Sequence, residues 1–209
     1  MKTVINKIHT LKYGDFNTFS LTDFLNLSQN QLQEALTDSR HDFHIMSVST
    51  LNTIQEPIAR TVILRQVDYK NKTLGFHSDV RSDKIKHLKK NPKVSLLFYS
   101  KRLRLQLSFN AICTIHTQNK MAKTSFDASS SYSKQCYAIQ KAPKSTLTQN
   151  RILPQSDLLL NEEAQYQHFC VCLCQFYSLH LLWLNHKGNI AAQYNWDPHL
   201  FLNSSWVVA

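Results

Sequence analysis

Two stretches decide how this chain is read: Pro57-Ile58-Ala59-Arg60-Thr61-Val62-Ile63-Leu64-Arg65 and Gly75-Phe76-His77-Ser78-Asp79-Val80-Arg81-Ser82-Asp83-Lys84. ARTVILRQVD (59–68) in and beyond the first, and TLGFHSD (73–79) leading into the second, carry Val, Ile, Leu, Phe and Thr, and the turn-forming Tyr69-Lys70-Asn71-Lys72 lies between them, which predicts adjacent strands. The second stretch then changes period. Ser78-Asp79 or Ser82 can start a helix in which Ile85 and Leu88 stand three apart and which stops ahead of Pro92. A strand carrying Arg60 and a helix start carrying Ser78, Arg81, Ser82 and Lys84 supply cations and hydroxyls, the donors that an anionic phosphate needs.

Outward from these stretches the texture stays β-rich. HIMSVSTL (44–51), KVSLLFYS (93–100) and RLRLQLSFNAICTIH (102–116) read as further strands, and HFCVCLCQFYSLHLLWL with NIAAQYNWD as a late pair that turns at Gly188. Residues 20–38 space Leu21, Phe24, Leu25, Leu32 and Leu36 as one face of an opening helix. Residues 118–167 are polar and predict a short helix near 120–134, followed by a long surface loop containing Pro143 and Pro154. The expectation is one domain over residues 1–209, mainly β with flanking helices, built as a β-barrel.

With 209 residues, 43% hydrophobic and 18% charged, the chain can bury one core. Three glycines are too few for a glycine-rich phosphate loop, so a phosphate would be held by side chains. No apolar run approaches the length of a signal core or a bilayer span, which predicts a soluble cytoplasmic protein without a membrane partner. Cys170, Cys172 and Cys174 alternate along one strand face and lack zinc-site spacing, so reduced core thiols are expected and no metal site. His41 and His44 read as a solvated or hydrogen-bonded pair. The formal charge of +10 is concentrated between Arg81 and Arg104, where nine Lys or Arg residues face one acid, Asp83. A small phosphate explains that zone, Lys86, Lys89, Lys90 and Lys93 read as a solvated helix face, and no nucleic-acid-binding signature accompanies it.

The ordered set formed by the two opening stretches, Asn91-Pro92-Lys93-Val94-Ser95-Leu96-Leu97-Phe98-Tyr99 and Leu105-Gln106-Leu107 resembles the pyridoxamine 5′-phosphate oxidase-like family. That resemblance implies an FMN-binding split β-barrel. It implies that Arg60, Ser78, Arg81, Ser82 and Lys84 surround the FMN phosphate. It also implies that Thr61, Val62, Ile63, Leu64 and Arg65 run beneath the flavin edge, and that His77 and Gln106 adjoin the site. Ser133-Lys134-Gln135 resembles the segment that brings a glutamine to the flavin of a partner subunit, although an ordinary helix end reads nearly as well. Trp183 falls where the family often has an aromatic, and a core tryptophan fits it equally. A homodimer with shared sites follows, consistent with the apolar tail of Leu200, Phe201, Leu202, Trp206, Val207 and Val208.

The departures from the pattern bear on the reaction. The Tyr, Arg and Ser that hold the substrate phosphate in the true oxidase would fall near Gln118, Ala122 and Phe126, HKGNIAAQY replaces the R-L-H motif, and Ser108-Phe109-Asn110-Ala111 drops an arginine and a glycine. The expected function is an FMN-dependent oxidoreductase of unknown substrate, distinct from a true pyridoxamine phosphate oxidase. The alternative is a flavin- or haem-binding module without catalysis.

Overall fold

The computed structural model describes residues 19–146, 160–197, 199 and 202–209. Helix α1 (Leu21–Thr37) opens it, capped by Ser20, whose hydroxyl accepts from Asp23 N while Asp23 reaches back to Ser20 N. The strands are β1 (Ile45–Leu51), β2 (Pro57–Asp68), β3 (Thr73–Asp79), β4 (Lys93–Ser100), β5 (Leu105–His116), β6 (Phe169–Trp183), β7 (Ile190–Trp196) and β8 (Leu202–Val207). Between them lie α2 (Asp83–Lys90), α3 (Lys120–Asp127), α4 (Ser131–Gln135) and α5 (Glu162–His168).

Every strand pair is antiparallel, in the order β3-β2-β1-β4-β5-β6-β7-β8, and β3 also pairs with β6. That last pairing closes β1 to β6 into a barrel, which removes the exposed edges of those strands. The long β6 serves two partners along one side, pairing with β3 through Gln175 and with β7 from Ser178 onward. A register shift opposite Asn110 and Ala111 marks the change.

The barrel interior is filled by edge-to-face aromatics. Phe43, Phe98, Phe109, Phe176 and Trp196 form a chain of contacts with centroids 5.0 to 6.0 Å apart. Each fully buried ring contributes about 1.5 to 3 kcal/mol, so the interior is a packed core, and a ligand must bind outside it. Helix α1 buries Phe24, Leu27, Leu32 and Ala35 against this core. A second, smaller cluster of Ala122, Phe126, Tyr137, Phe169 and Val171 lies where α3 meets the start of β6.

The predicted helices and strands up to β7 are present. The 118–167 region is more structured than a loop: it forms α3 and α4 in place of one helix, and α5 precedes β6. Helix α5 escaped detection because it buries none of its side chains fully; it is held by its Asn161 cap, by Glu162 and Glu163 at its positive end and by Tyr166, partly buried against Phe126. Pro154 and residues 147–159 lie outside the described residues, as do Leu200 and Phe201 of the tail. The rest of the tail forms β8 on the edge beside β7, with Leu202, Trp206 and Val207 partly exposed. Cys170, Cys172 and Cys174 share the buried face, as their alternation predicted. His41 accepts from Phe43 N and lies 3.3 Å from Gln31 Oε1, and His44 reaches the Ala35 carbonyl. Gly188 takes φ +130°, open to glycine at little cost, at the β6 to β7 turn. Among the described residues no helix is long and apolar enough to cross a membrane.

Candidate anion-binding site

On β2, residues Arg60, Val62 and Leu64 face inward and Ala59, Thr61, Ile63 and Arg65 face outward, as strand alternation requires. The register with β3 then shifts between Leu64 and Gln66, so Arg65 is an extra residue and the inward face passes to Val67. Gly75 sits opposite: a Cβ there would fall 2.9 Å from Gln66 Cβ, so the backbones approach too closely for a side chain.

Arg60 is the first inward residue of this series. Its Nη1 donates to the Val48 carbonyl at 3.2 Å and to Thr50 Oγ1 at 2.8 Å. Nε and Nη2 meet no protein acceptor among the described residues. Thr50 is buried and its oxygen lies 3.1 Å from His87 Nδ1 on α2. Burial, then the neighbouring Arg60 charge, holds the His87 pKa below its ordinary value, so the ring is neutral near pH 7 and can accept the threonine proton.

The second cation comes from α2. Lys84 Nζ donates to Ser78 Oγ at 3.0 Å and Ser82 Oγ at 3.3 Å, and an ammonium has a third donor left. Ser82 occupies the N-cap position, yet its hydroxyl does not cap; it donates to the Asp79 carbonyl at 2.7 Å. The helix therefore starts without a side chain over its first N–H groups, beside the lysine. Burial lowers the pKa of Lys84, and of Arg60, below the ordinary values. Among the described residues no carboxylate lies within ion-pair distance of either, so these two partly desolvated cations form no direct ion pair, with Asp83 the single carboxylate on the cavity wall. An anion is what such a pair is short of.

These groups meet at a cavity of about 230 Å³ lined by Ile58, Ala59, Arg60, Ser82, Asp83, Lys84, Pro143 and Lys144. Ser78 stands one hydrogen bond behind it, through Lys84. Four of the five residues expected around a phosphate are thus assembled from β2, β3 and α2. The donor set, two cations with hydroxyls and an uncapped helix start, fits a phosphate monoester such as that of FMN.

Arg81 is placed otherwise. Its guanidinium forks onto Asp79, with Nε to Oδ1 at 3.0 Å and Nη2 to Oδ2 at 2.7 Å, and also donates to the carbonyls of Ile139 and Gln140. A planar donor with five N–H groups suits this bracing role. His77 lies partly buried against Phe169, ring centroids 4.8 Å apart, and burial with the Arg65 charge lowers its pKa to about 4. Gln106 is half-buried on the face of β5 opposite to Leu105 and Leu107. Gln135 is exposed at the end of α4, and Trp183 is buried against Phe19 and Phe24 at the foot of α1. None of these five lines the cavity.

Sequence reasoning missed Thr50, His87, Pro143 and Lys144. Thr50 and His87 act through Arg60, and Pro143 and Lys144 arrive from a segment about 60 residues distant, a placement that no local pattern encodes.

Comparison with known proteins agrees with the fold and locates the sequence match. Residues 26–117 match the family model described as the pyridoxamine 5′-phosphate oxidase FMN-binding domain. The pyridoxine/pyridoxamine 5′-phosphate oxidases of Pectobacterium atrosepticum and an Enterobacter species are each 35% identical over 74 residues, 35% of this chain. The match spans about a third of each relative, 32% and 33%. In structure, a pyridoxamine 5′-phosphate oxidase-related, FMN-binding protein of Nostoc punctiforme superposes with a TM-score of 0.75 at 15% identity, covering 91% of this chain and 100% of the other. PhzG of Burkholderia lata, solved with tetrahydrophenazine-1-carboxylic acid, gives 0.66 at 12% identity over 88% and 92%. At such identities these two likenesses concern the fold.

Proposed function

We propose that this chain, a split barrel resembling the pyridoxamine 5′-phosphate oxidase-like family, binds FMN with its phosphate at the Arg60 and Lys84 cavity and serves as an oxidoreductase. The carrying observation is the pair of partly buried cations without a carboxylate partner, converging on one cavity with Ser78 and Ser82. Bound FMN supplies the electron-transfer chemistry. The protein's part is to hold the phosphate by Arg60 and Lys84, to orient Arg60 through Thr50 and His87, and to keep Lys84 positioned by two hydroxyls.

The substrate is expected to differ from pyridoxamine phosphate. Ala122 and Phe126 are fully buried in the second cluster, where they offer no donor to a substrate phosphate, and Gln118 is exposed and bonded to Gln167. A cytoplasmic setting belongs to the same reading, supported by five cysteines that are all free thiols. So does a homodimer. Ile45 and Ile63 are directly paired and exposed at 54% and 39%, and Leu97 and Tyr99 are exposed at 39% and 46% on β4, next to β1. Such an outward apolar row suits a second copy of the chain.

Titration of the purified protein with FMN in phosphate-free buffer, followed by absorption and fluorescence quenching, tests the reading. Saturable binding with a yellow, reducible complex is expected. Absence of FMN binding under these conditions overturns it.

A further inference from the structure

The cavity has a third cation, contributed from far along the chain. Lys144 lines it together with Arg60, Ser82 and Lys84, and its Nζ lies 3.3 Å from Asp83 Oδ2, itself part of the wall. Resting on the anion-site reading above, we propose that Lys144 is a phosphate-binding residue. Asp83 holds it ready until the ligand arrives.

Three observations converge on this. The first is placement: the segment leading to Lys144 is anchored, since Tyr137 and Ala138 are buried and the Tyr137 carbonyl lies 2.9 Å from His168 Nδ1. Arg81, braced on Asp79, fastens the carbonyls of Ile139 and Gln140. Only a few residues separate that anchor from Lys144, which takes φ +66°, a left-handed backbone that non-glycine residues adopt at a cost and that turns the chain over the cavity.

The second observation is charge. Arg60, Lys84 and Lys144 against Asp83 leave the cavity wall with two net positive charges, which balances a phosphate monoester carrying about −1.5 to −2 near pH 7. Without Lys144 the wall would balance only half of that.

The third is the pair itself. The lysine side chain is 74% exposed and the Asp83 side chain 38%, so the bond between them is a weak surface ion pair that a dianion can displace. Asp83 keeps a second partner, Lys86 at 3.3 Å, and does not become an isolated charge when Lys144 turns to the phosphate. Arg81, which the sequence placed at the phosphate, acts here as the tether that presents Lys144.

The test compares Lys144→Ala, Lys144→Gln, Asp83→Asn and, as the control for the site, Lys84→Ala, with FMN and riboflavin as probes at low ionic strength. Both Lys144 variants should weaken FMN by about three- to tenfold while riboflavin changes by less than about twofold, because the lost contact is to the phosphate alone. Asp83→Asn should tighten FMN, since it removes a like charge and releases the lysine. If Lys84→Ala weakens FMN and the Lys144 variants do not, the anion site stands and the role of Lys144 falls. If none of the variants affects FMN selectively over riboflavin, the anion site itself is misassigned and the proposal falls with it.

Discussion

Arg60 Nη1 donates to Thr50 Oγ1 at 2.8 Å between β2 and β1, and the same hydroxyl oxygen lies 3.1 Å from His87 Nδ1 on α2. This relay fixes one arm of the guanidinium and leaves the other toward the cavity. Removing the charge should therefore cost ligand rather than fold. Arg60→Ala or Lys84→Ala should weaken FMN by about 1.5 to 3 kcal/mol, roughly ten- to a hundredfold, with riboflavin little changed. Parallel calorimetric titrations check this; equal losses for both ligands would mean that the residues act on structure or on the ring.

Arg81 and Asp79 form a fork with side chains 19% and 9% exposed. Arg81→Ala leaves that carboxylate with the residue-81 backbone N–H and without its ion-pair partner, and leaves the Ile139 and Gln140 carbonyls without their guanidinium donor, so stability should fall by about 2 to 4 kcal/mol. Urea denaturation reads the loss. A variant as stable as the parent would remove the bracing role.

His77 carries the clearest pH signature. Its folded pKa, about 4, lies below the ordinary 6.5 because burial and the Arg65 charge disfavour the imidazolium. The unfolded chain therefore binds the proton first, and the contribution to stability is fully present above pH 6.5 and is lost as pH falls toward 4. His77→Phe should flatten that limb, with a difference on the order of 1 to 3 kcal/mol between pH 7 and pH 4. Melting curves across that window check the slope, and an unchanged slope would assign the acid limb to other groups.

The outward row on β1, β2 and β4 predicts self-association. Ile63→Glu with Leu97→Glu should shift a sedimenting dimer to monomer, because each buries an unpaired carboxylate at the centre of a contact. A wild-type monomer at micromolar concentration with FMN bound would sink the dimer.

How much of this was legible beforehand follows from the range of each interaction. The strand runs around Arg60 and Ser78, the α2 helix ahead of Pro92, the turn at Gly188 and the buried face of Cys170, Cys172 and Cys174 all rest on spacing within a few residues, and all were readable, whereas the choice of Ser82 over Ser78-Asp79 as the helix start came from β3 running on to Asp79. Alternation and helical spacing are local physics, written directly in the order of side chains. Helix α5 and strand β8 bury too little apolar surface to leave a periodic trace.

The site divides in the same way. Sequence by itself determined which cations and hydroxyls were available near the barrel's second and third strands, and that side chains rather than a glycine loop would hold an anion. Tertiary structure decided which of them converge. It set the carbonyls of Ile139 and Gln140 on Arg81, withdrew Trp183 into the core beside Phe24, set Thr50 and His87 behind Arg60, and brought Lys144 to face Asp83. The reason is physical: an indole takes the nearest apolar wall and a lysine the nearest carboxylate, and what lies nearest across the fold depends on barrel closure through β3 and β6, a contact between residues nearly a hundred positions apart.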